Sequence, residues 1–270
     1  MTEGRAPGSS AGPSGAASAR PALGTPCWVS LMVHGPTAAQ EFYGELFGWE
    51  FRSGPPQLGP YVRALLDGRE VAGIGRLPPD RRLPVAWTPY LASDRVDATA
   101  ETVRLCGGTV GVGPLDAGDA GRLAIGLDPS GAVFGVWQSA AHLGTAVTGV
   151  HGTPAWNELV TYEAAGVAKF YETVFGYGRQ TEGSADADHV TLLVDGRPVA
   201  GVRGVGAALP RVRGPHWVTY FEVDDVDEAL ARFLGLGGHV VRPVRDGGHG
   251  RVVDVADPEG ARFALIQRCG

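Results

Sequence analysis

The sequence is nearly without lysine: of its 23 basic residues, only Lys169 is not an arginine. Cysteine is almost as scarce. Cys27, Cys106 and Cys269 stand far apart and are odd in number, which implies neither a disulfide framework nor a zinc knuckle. No apolar run approaches the ~18 residues of a membrane span, so no membrane partner is expected. No block of basic residues occurs and the net charge is −6, which argues against nucleic acid as a partner. Residues 1–23 are Gly, Ala, Ser and Pro with scattered charges and no apolar stretch of the kind a secretory signal needs. They predict a disordered tail on a cytoplasmic protein.

Punctuation, by contrast, is abundant. The 42 glycines and 20 prolines are spread among alternating apolar segments, the pattern of many short strands and turns. Hydrophobic residues make up 44% of the chain, enough for a sizeable core.

An internal repeat organises the rest. Gly24-Thr25-Pro26-Cys27-Trp28 returns as Gly152-Thr153-Pro154-Ala155-Trp156. Phe42-Tyr43 returns as Phe170-Tyr171, and Asp67-Gly68-Arg69 as Asp195-Gly196-Arg197. Trp87 matches Trp217, and the turn Asp128-Pro129 with Gly131 matches Asp257-Pro258 with Gly260. Two homologous domains are expected, 24–146 and 152–270, joined by a short linker.

Each domain reads as two βαβββ units. In the first, Pro26–Val33 is an apolar strand. Residues 37–47 carry helical spacing, with Gly48 placed to close the helix in a left-handed conformation. Tyr61–Leu66 and Val71–Leu77 flank an Asp-Gly turn, a hairpin signal. A strand at Pro84–Ser93, a helix at Val96–Leu105 and strands at Thr109–Val112, Arg122–Leu127 and Ala132–Gln138 complete the set. The second domain repeats this order.

The Phe-Tyr pair on the first helix, the Asp-Pro-x-Gly turn before the last strand and the paired βαβββ units resemble the vicinal oxygen chelate superfamily. This superfamily includes glyoxalase I, extradiol dioxygenases and bleomycin-resistance proteins. The similarity is greatest to its tandem-repeat, glyoxalase-like branch. The resemblance implies an α+β fold: a tandem duplication of glyoxalase-like domains, each a curved eight-stranded sheet with helices on its outer face. It also implies a cup on the other face of each sheet, into which metal-using members send ligands from the first, fifth and eighth strands. Here those positions hold Trp28, Thr88 and Gly135 in the first domain and Trp156, Val218 and Ala264 in the second. None is a His, Glu, Asp or Cys, so neither a metal nor any other cofactor is expected.

Strand alternation in the same alignment gives the residues facing each cup. They are Trp28, Ser30, Met32, Ala86, Tyr90, Val133 and Trp137 in the first, and Trp156, Glu158, Val160, His216, Tyr220, Arg262 and Ile266 in the second. Aromatic walls suit a planar or apolar organic ligand. Trp87 and Trp217 should point the other way, under the helices. Glu158, in an apolar strand, must find a partner or shift its pKa upward. It is the candidate general base, with His216 and Tyr220 as further acid–base groups; the alternative is an ion pair with Arg262 that serves structure alone. Trp28, Ser30, Met32, Tyr90, Trp137, Trp156 and Arg262 are the candidate substrate-binding residues. The loops Gly113–Gly121 and Arg242–Gly250 are candidate lids, and Cys27 is expected to be a buried thiol.

Three functions follow. The first is a metal-independent isomerase, cyclase or lyase of secondary metabolism acting on an aromatic or polycyclic substrate. The second is a protein that sequesters an antibiotic or metabolite without chemistry, as bleomycin-resistance relatives do. The third is a metal-dependent glyoxalase or dioxygenase. A monomer or a homodimer would suit any of them.

Overall fold

The computed structural model describes residues 20–79, 83–181, 188–247 and 250–269. Most of the expected tail, residues 1–19, lies outside them. The first repeat forms β1 (Pro26–Val33), α1 (Pro36–Phe47), β2 (Glu50–Ser53), β3 (Tyr61–Leu66), β4 (Arg69–Arg76), β5 (Ala86–Ala92), α2 (Val96–Leu105), β6 (Thr109–Asp116), β7 (Gly121–Leu127) and β8 (Val133–Ser139). The second forms β9 (Pro154–Thr161), α3 (Ala164–Phe175), β10 (Gly178–Thr181), β11 (His189–Val194), β12 (Arg197–Gly204), β13 (His216–Glu222), α4 (Val226–Gly235), β14 (His239–Gly247), β15 (Gly250–Ala256) and β16 (Arg262–Gln267). These make two open eight-stranded mixed sheets, ordered β2-β3-β4-β1-β5-β8-β7-β6 and β10-β11-β12-β9-β13-β16-β15-β14. Each sheet is drawn from one repeat, and the fold is α+β.

The local signals work as their chemistry requires. Gly48 and Gly176 end α1 and α3 at φ 72°, each returning its N–H to a carbonyl four residues back. Asp67-Gly68 and Asp195-Gly196 have positive φ at both residues, as a tight two-residue hairpin turn demands. Two strands escaped the reading of the sequence. β2 and β10 are four-residue edge strands whose residues are mostly exposed, so they carry no apolar alternation. β6 runs four residues further than expected, to Asp116.

Each helix packs on strands of its own repeat, and the cores so formed are shared between the repeats. One core joins α1, Trp49 and Trp87 of the first repeat to Phe221, Phe233 and Phe263 of the second. The other joins Leu91, Phe134 and Val136 to Tyr171, Phe175 and Trp217. Trp87 and Trp217 do lie on the helix side, and they show how the cores are pinned. Trp87 Nε1 donates to Tyr43 OH at 3.1 Å, and Tyr43 OH donates to Asp257 Oδ2 at 2.9 Å. In the mirror arrangement Trp217 Nε1 donates to Tyr171 OH, and Tyr171 OH to Asp128 Oδ2, both at 3.1 Å. The Phe-Tyr helix of each repeat is thus bonded to the Asp-Pro turn of the other. Each Asp also accepts from two backbone N–H groups of its own turn.

Candidate functional site

The faces turned away from the helices are the two cups, and they differ in chemistry. In the first, Trp28, Tyr90 and Trp137 pack with Leu123, Ala117 and Ala120 into a buried cluster. Trp28 is only 5% exposed and Ser30 1%. The gap between them is filled by Tyr61, whose hydroxyl accepts from Trp28 Nε1 at 2.9 Å and exchanges a 2.7 Å bond with Ser30 Oγ. Glycines make the room: a Cβ at Gly73 would run into Tyr61, one at Gly75 into Met32 and one at Gly135 into Tyr90.

The segment between the repeats closes what is left of this cup. His142 sits edge-on to Trp28, with ring centroids 4.4 Å apart, and to Trp137 at 5.4 Å. Its Nδ1 lies 2.7 Å from Glu70 Oε2, and Glu70 also pairs with Arg63. The bond from His142, with help from Arg63 and against the effect of burial, holds the Glu70 carboxyl at about 2. Gly113–Gly121, expected as a lid, is instead the end of β6 and a helical turn at Gly118–Ala120. Backbone bonds from Ala140, Ala141 and His142 tie that turn down. Of the expected binding residues, Trp28, Tyr90 and Trp137 meet in one buried cluster, Ser30 joins it through Tyr61, and Met32 lies against Gly75. Cys27 beside them is buried as expected, its thiol pushed up to about 12 by that burial.

In the second cup a charged cluster stands where Ser30 and Tyr61 lie in the first. The register explains how. β12 pairs in parallel with β9, placing Gly201 opposite Glu158 and Arg203 opposite Val160, and β11 places His189 opposite Arg203. With no side chain at Gly201, Arg203 and His189 lean over Glu158. Arg203 Nε donates to Glu158 Oε2 at 2.8 Å, Tyr220 OH donates to the same oxygen at 3.1 Å, and His189 Nε2 lies 3.5 Å from Oε1. Positions 158, 189 and 203 correspond to Ser30, Tyr61 and Gly75 in the first cup.

The alternatives left open for Glu158 are decided here. Glu158 pairs with Arg203 and not with Arg262, because β16 is separated from β9 by β13 while β12 is adjacent. Its pKa moves down and not up. Burial works to raise it, but the His189 bond and the Arg203 charge outweigh burial and hold it at about 2. The imidazole partner of Glu158 is His189, absent from the sequence reading; His216 is engaged elsewhere. The His216 Nδ1 donates to Gly214 O at 2.9 Å, and its Nε2 accepts from Arg213 Nε at 3.0 Å. Both ring nitrogens are used and the imidazole is neutral. Burial first, then the charge of Arg213, lowers His216 to about 4. The hydroxyl of Tyr220 is raised by burial and by the Glu158 charge, so it remains a donor. Trp156 and Arg262 are half-buried on this face. Residues 248–249 of the expected second lid lie outside the described residues, and β14 runs as strand to Gly247.

These shifts set a pH dependence. A base whose folded pKa lies below its unfolded one gives stability that is present above the unfolded value and lost as pH falls. For His216 the loss should run from about pH 6.5 to about 4 and approach 3 kcal/mol, at 1.36 kcal/mol per unit. Glu158 and Glu70 add a second loss between about 4.5 and 2. Asp128 and Asp257, raised by burial, act in the opposite sense, so the test is a difference. Urea melts of the natural protein and of His216→Asn should diverge between pH 7 and 4, with the variant losing less. Parallel curves would show that His216 is not held neutral.

Neither cup offers a metal its usual donors. Of the six positions assigned to ligands, Thr88 alone carries a side-chain oxygen. No group of three or more His, Cys, Asp or Glu able to hold an ion occurs among the described residues. The acids and imidazoles that meet, Glu158 with His189 and Glu70 with His142, share their sites with the Arg203 and Arg63 guanidiniums. These donor sets do not fit a chelated divalent ion. A separate cavity of about 310 Å³ lies at the seam of the repeats, between Pro26 and Trp28 on one side and Pro154 and Trp156 on the other. Its charged residue, Arg268, donates to the Ala155 carbonyl. No acid–base pair reaches it, so the second cup is the candidate site. Among the described residues no helix is long and apolar enough to cross a membrane.

Comparison with known proteins agrees with this architecture. A family model of the glyoxalase-like domain matches residues 158–266. Over 251 residues, covering 90% of this chain and 95% of the other, the sequence is 36% identical to the protein named "Putative glyoxylase CFP32" of Mycobacterium tuberculosis (strain CDC 1551 / Oshkosh). Over 260 residues, 91% of this chain and 94% of the other, it is 34% identical to the anthracycline biosynthesis protein DnrV of Streptomyces peucetius. The fold is similar to that of the Mn(II)-bound glyoxalase from Novosphingobium aromaticivorans, with a TM-score of 0.62 at 17% identity over 90% of this chain and 82% of that one.

Proposed function

Because the chain belongs to the vicinal oxygen chelate superfamily, as one of its glyoxalase-like proteins, we propose that it is a metal-independent enzyme of secondary metabolism. It takes an aromatic, polycyclic substrate into its second cup and acts on it by proton transfer, as an isomerase, cyclase or lyase does. The observation that carries this reading is the Glu158–His189 pair. A carboxylate held ionised beside an imidazole, on a face walled by Trp156 and Tyr220, is a proton-transfer centre under an aromatic ligand. The relationship to an anthracycline biosynthesis protein supports both the metabolic setting and the polycyclic substrate class.

The roles differ from those expected of the residues one by one. Glu158, at about 2, is too acidic to abstract a proton near neutrality. It orients His189, and the imidazole moves the proton. Arg203 fixes the carboxylate, and Tyr220 is the neutral donor. The same acidity is the observation that favours the second reading, a protein that binds and sequesters the ligand with Glu158 as a fixed polar contact.

An anthracycline-type polyketide, offered in the presence of a chelator and followed by absorbance and mass, separates the two. The enzyme reading expects turnover that His189→Gln lowers by about 10²–10⁴ with affinity within about threefold. Full activity in His189→Gln would refute the role given to the imidazole, and activity abolished by the chelator the metal-independent mechanism. Tight binding with no product in the natural protein establishes sequestration.

A further inference from the structure

We propose that the rim of the second cup is a carboxylate site, in which Arg213 and Arg262, held to either side of His216, bind an acid group carried by the aromatic ligand. This rests on the reading of the second cup as an aromatic-ligand site and names its substrate class: aromatic carboxylates.

Placement comes first. β13 and β16 are parallel with Tyr220 opposite Ala264, which sets Arg262 beside Val218. Val218 in turn lies opposite Glu158, so Arg262 stands on the face of the charged cluster, one strand beyond its centre. His216 precedes Val218 by two residues and shares that face. Arg213 arrives from the turn before β13 and is fixed by its bond to His216 Nε2. Since that imidazole is neutral, it positions Arg213 without neutralising it.

Among the described residues, the charge balance then leaves these two cations over. Arg203 is answered by Glu158, and Arg245 and Arg242 by Asp254. Neither Arg213 nor Arg262 has an acidic partner among the described residues, although both are half-buried. They are also close enough to feel each other: burial, and after it the charge of Arg262, lowers Arg213 to about 10. Two neighbouring guanidiniums, partly withdrawn from water and without a counter-charge among the described residues, are arranged for an oxyanion, which they would meet with paired charge-assisted bonds. The fixed acids Glu158 and Asp254 lie on the same face and weigh against a dianion such as phosphate. A single carboxylate beside Trp156 and Tyr220 fits both the charge and the walls.

Calorimetry at pH 7.5 with 2-naphthoate, 2-naphthamide and inorganic phosphate tests this. The natural protein should bind naphthoate about tenfold or more tighter than naphthamide, a difference of about 1.4 kcal/mol. In the Arg213→Met, Arg262→Met double variant that preference should vanish, the naphthamide affinity should stay, and the melting temperature should hold or rise because like charges have been removed. A role for the two arginines in structure alone would lower it. Equal affinity for naphthoate and naphthamide, or a preference that survives the double variant, overturns the carboxylate site and leaves the aromatic cup standing. Phosphate binding as tightly as naphthoate overturns it too, since the site would then answer to free oxyanions. If neither naphthalene binds, the aromatic-ligand reading fails and this inference with it.

Discussion

An Arg203→Met variant is expected to lose about 3 kcal/mol of stability, the low end of what stripping one partner from a buried ion pair costs, because 27% of the Arg203 side chain is exposed. Glu158 is 8% exposed, and burial by itself pushes its carboxyl upward. The guanidinium at 2.8 Å is a principal force in the other direction. Without it the carboxylate keeps the His189 and Tyr220 contacts but loses the Arg203 charge, and it will take up a proton at a higher pH. The first cup shows what removes the penalty. There the same three positions are Ser30, Tyr61 and Gly75, and they pack without a charge. The triple variant Glu158→Ser, His189→Tyr, Arg203→Gly should recover most of the loss, since exchanging a buried pair for a well-packed neutral set is often free or favourable. Urea melts at pH 7 measure both. An Arg203→Met protein within about 1 kcal/mol of the natural one would show the pair to be solvated and dispensable.

A loss of similar size, about 3–5 kcal/mol, is expected for Asp257→Ala, far from either cup. Its carboxylate accepts from Tyr43 OH and from the backbone N–H groups of Glu259 and Ala261. Truncation strands three donors in or beside a core that both repeats share, at about 1–3 kcal/mol for each group left unsatisfied. Tyr43→Phe, which removes one donor to Asp257, strands Trp87 Nε1 and leaves the turn intact, should cost about half as much. If Asp257→Ala cost no more than Tyr43→Phe, the carboxylate would be contributing nothing to its own turn.

That second network explains which parts of the molecule could be read from the chain. The Phe-Tyr pair and the Asp-Pro turn identified the repeat and the superfamily because both are fixed by local chemistry, a helical face and an Asx-type turn. Their meeting across the repeats is a matter of tertiary packing that no spacing encodes. The cups follow the same rule. Alternation along single strands correctly put Trp28, Ser30, Glu158 and Tyr220 on one face and Trp87 and Trp217 on the other. The partners of Glu158 came from elsewhere. His189 and Arg203 reach it because β12 runs beside β9 in parallel, a pairing closed by a long crossover and without a hairpin to announce it. Tyr61 fills the first cup for the same reason. His142 is a residue of an irregular segment, and nothing in its neighbours shows that it plugs a cup. The sense of the Glu158 pKa shift turned on those hidden partners: alone in an apolar strand a carboxyl goes up, and beneath a guanidinium it goes down.

The reciprocal cores have a consequence for how the two repeats came to differ. Each core is built from helices and strands of both repeats, so the join resembles the obligate contact of a dimer more than a hinge between independent bodies. The peptide link past Thr148 and Gly149 is exposed and supplies proximity, while cohesion comes from the cores. A chain nicked there would remain one particle. Two halves bound in this way are inherited together as an asymmetric pair, which a symmetric dimer of identical subunits can never become. The two cups are then free to diverge, as they have at one equivalent position, where Ser30 stands in the first and Glu158 in the second.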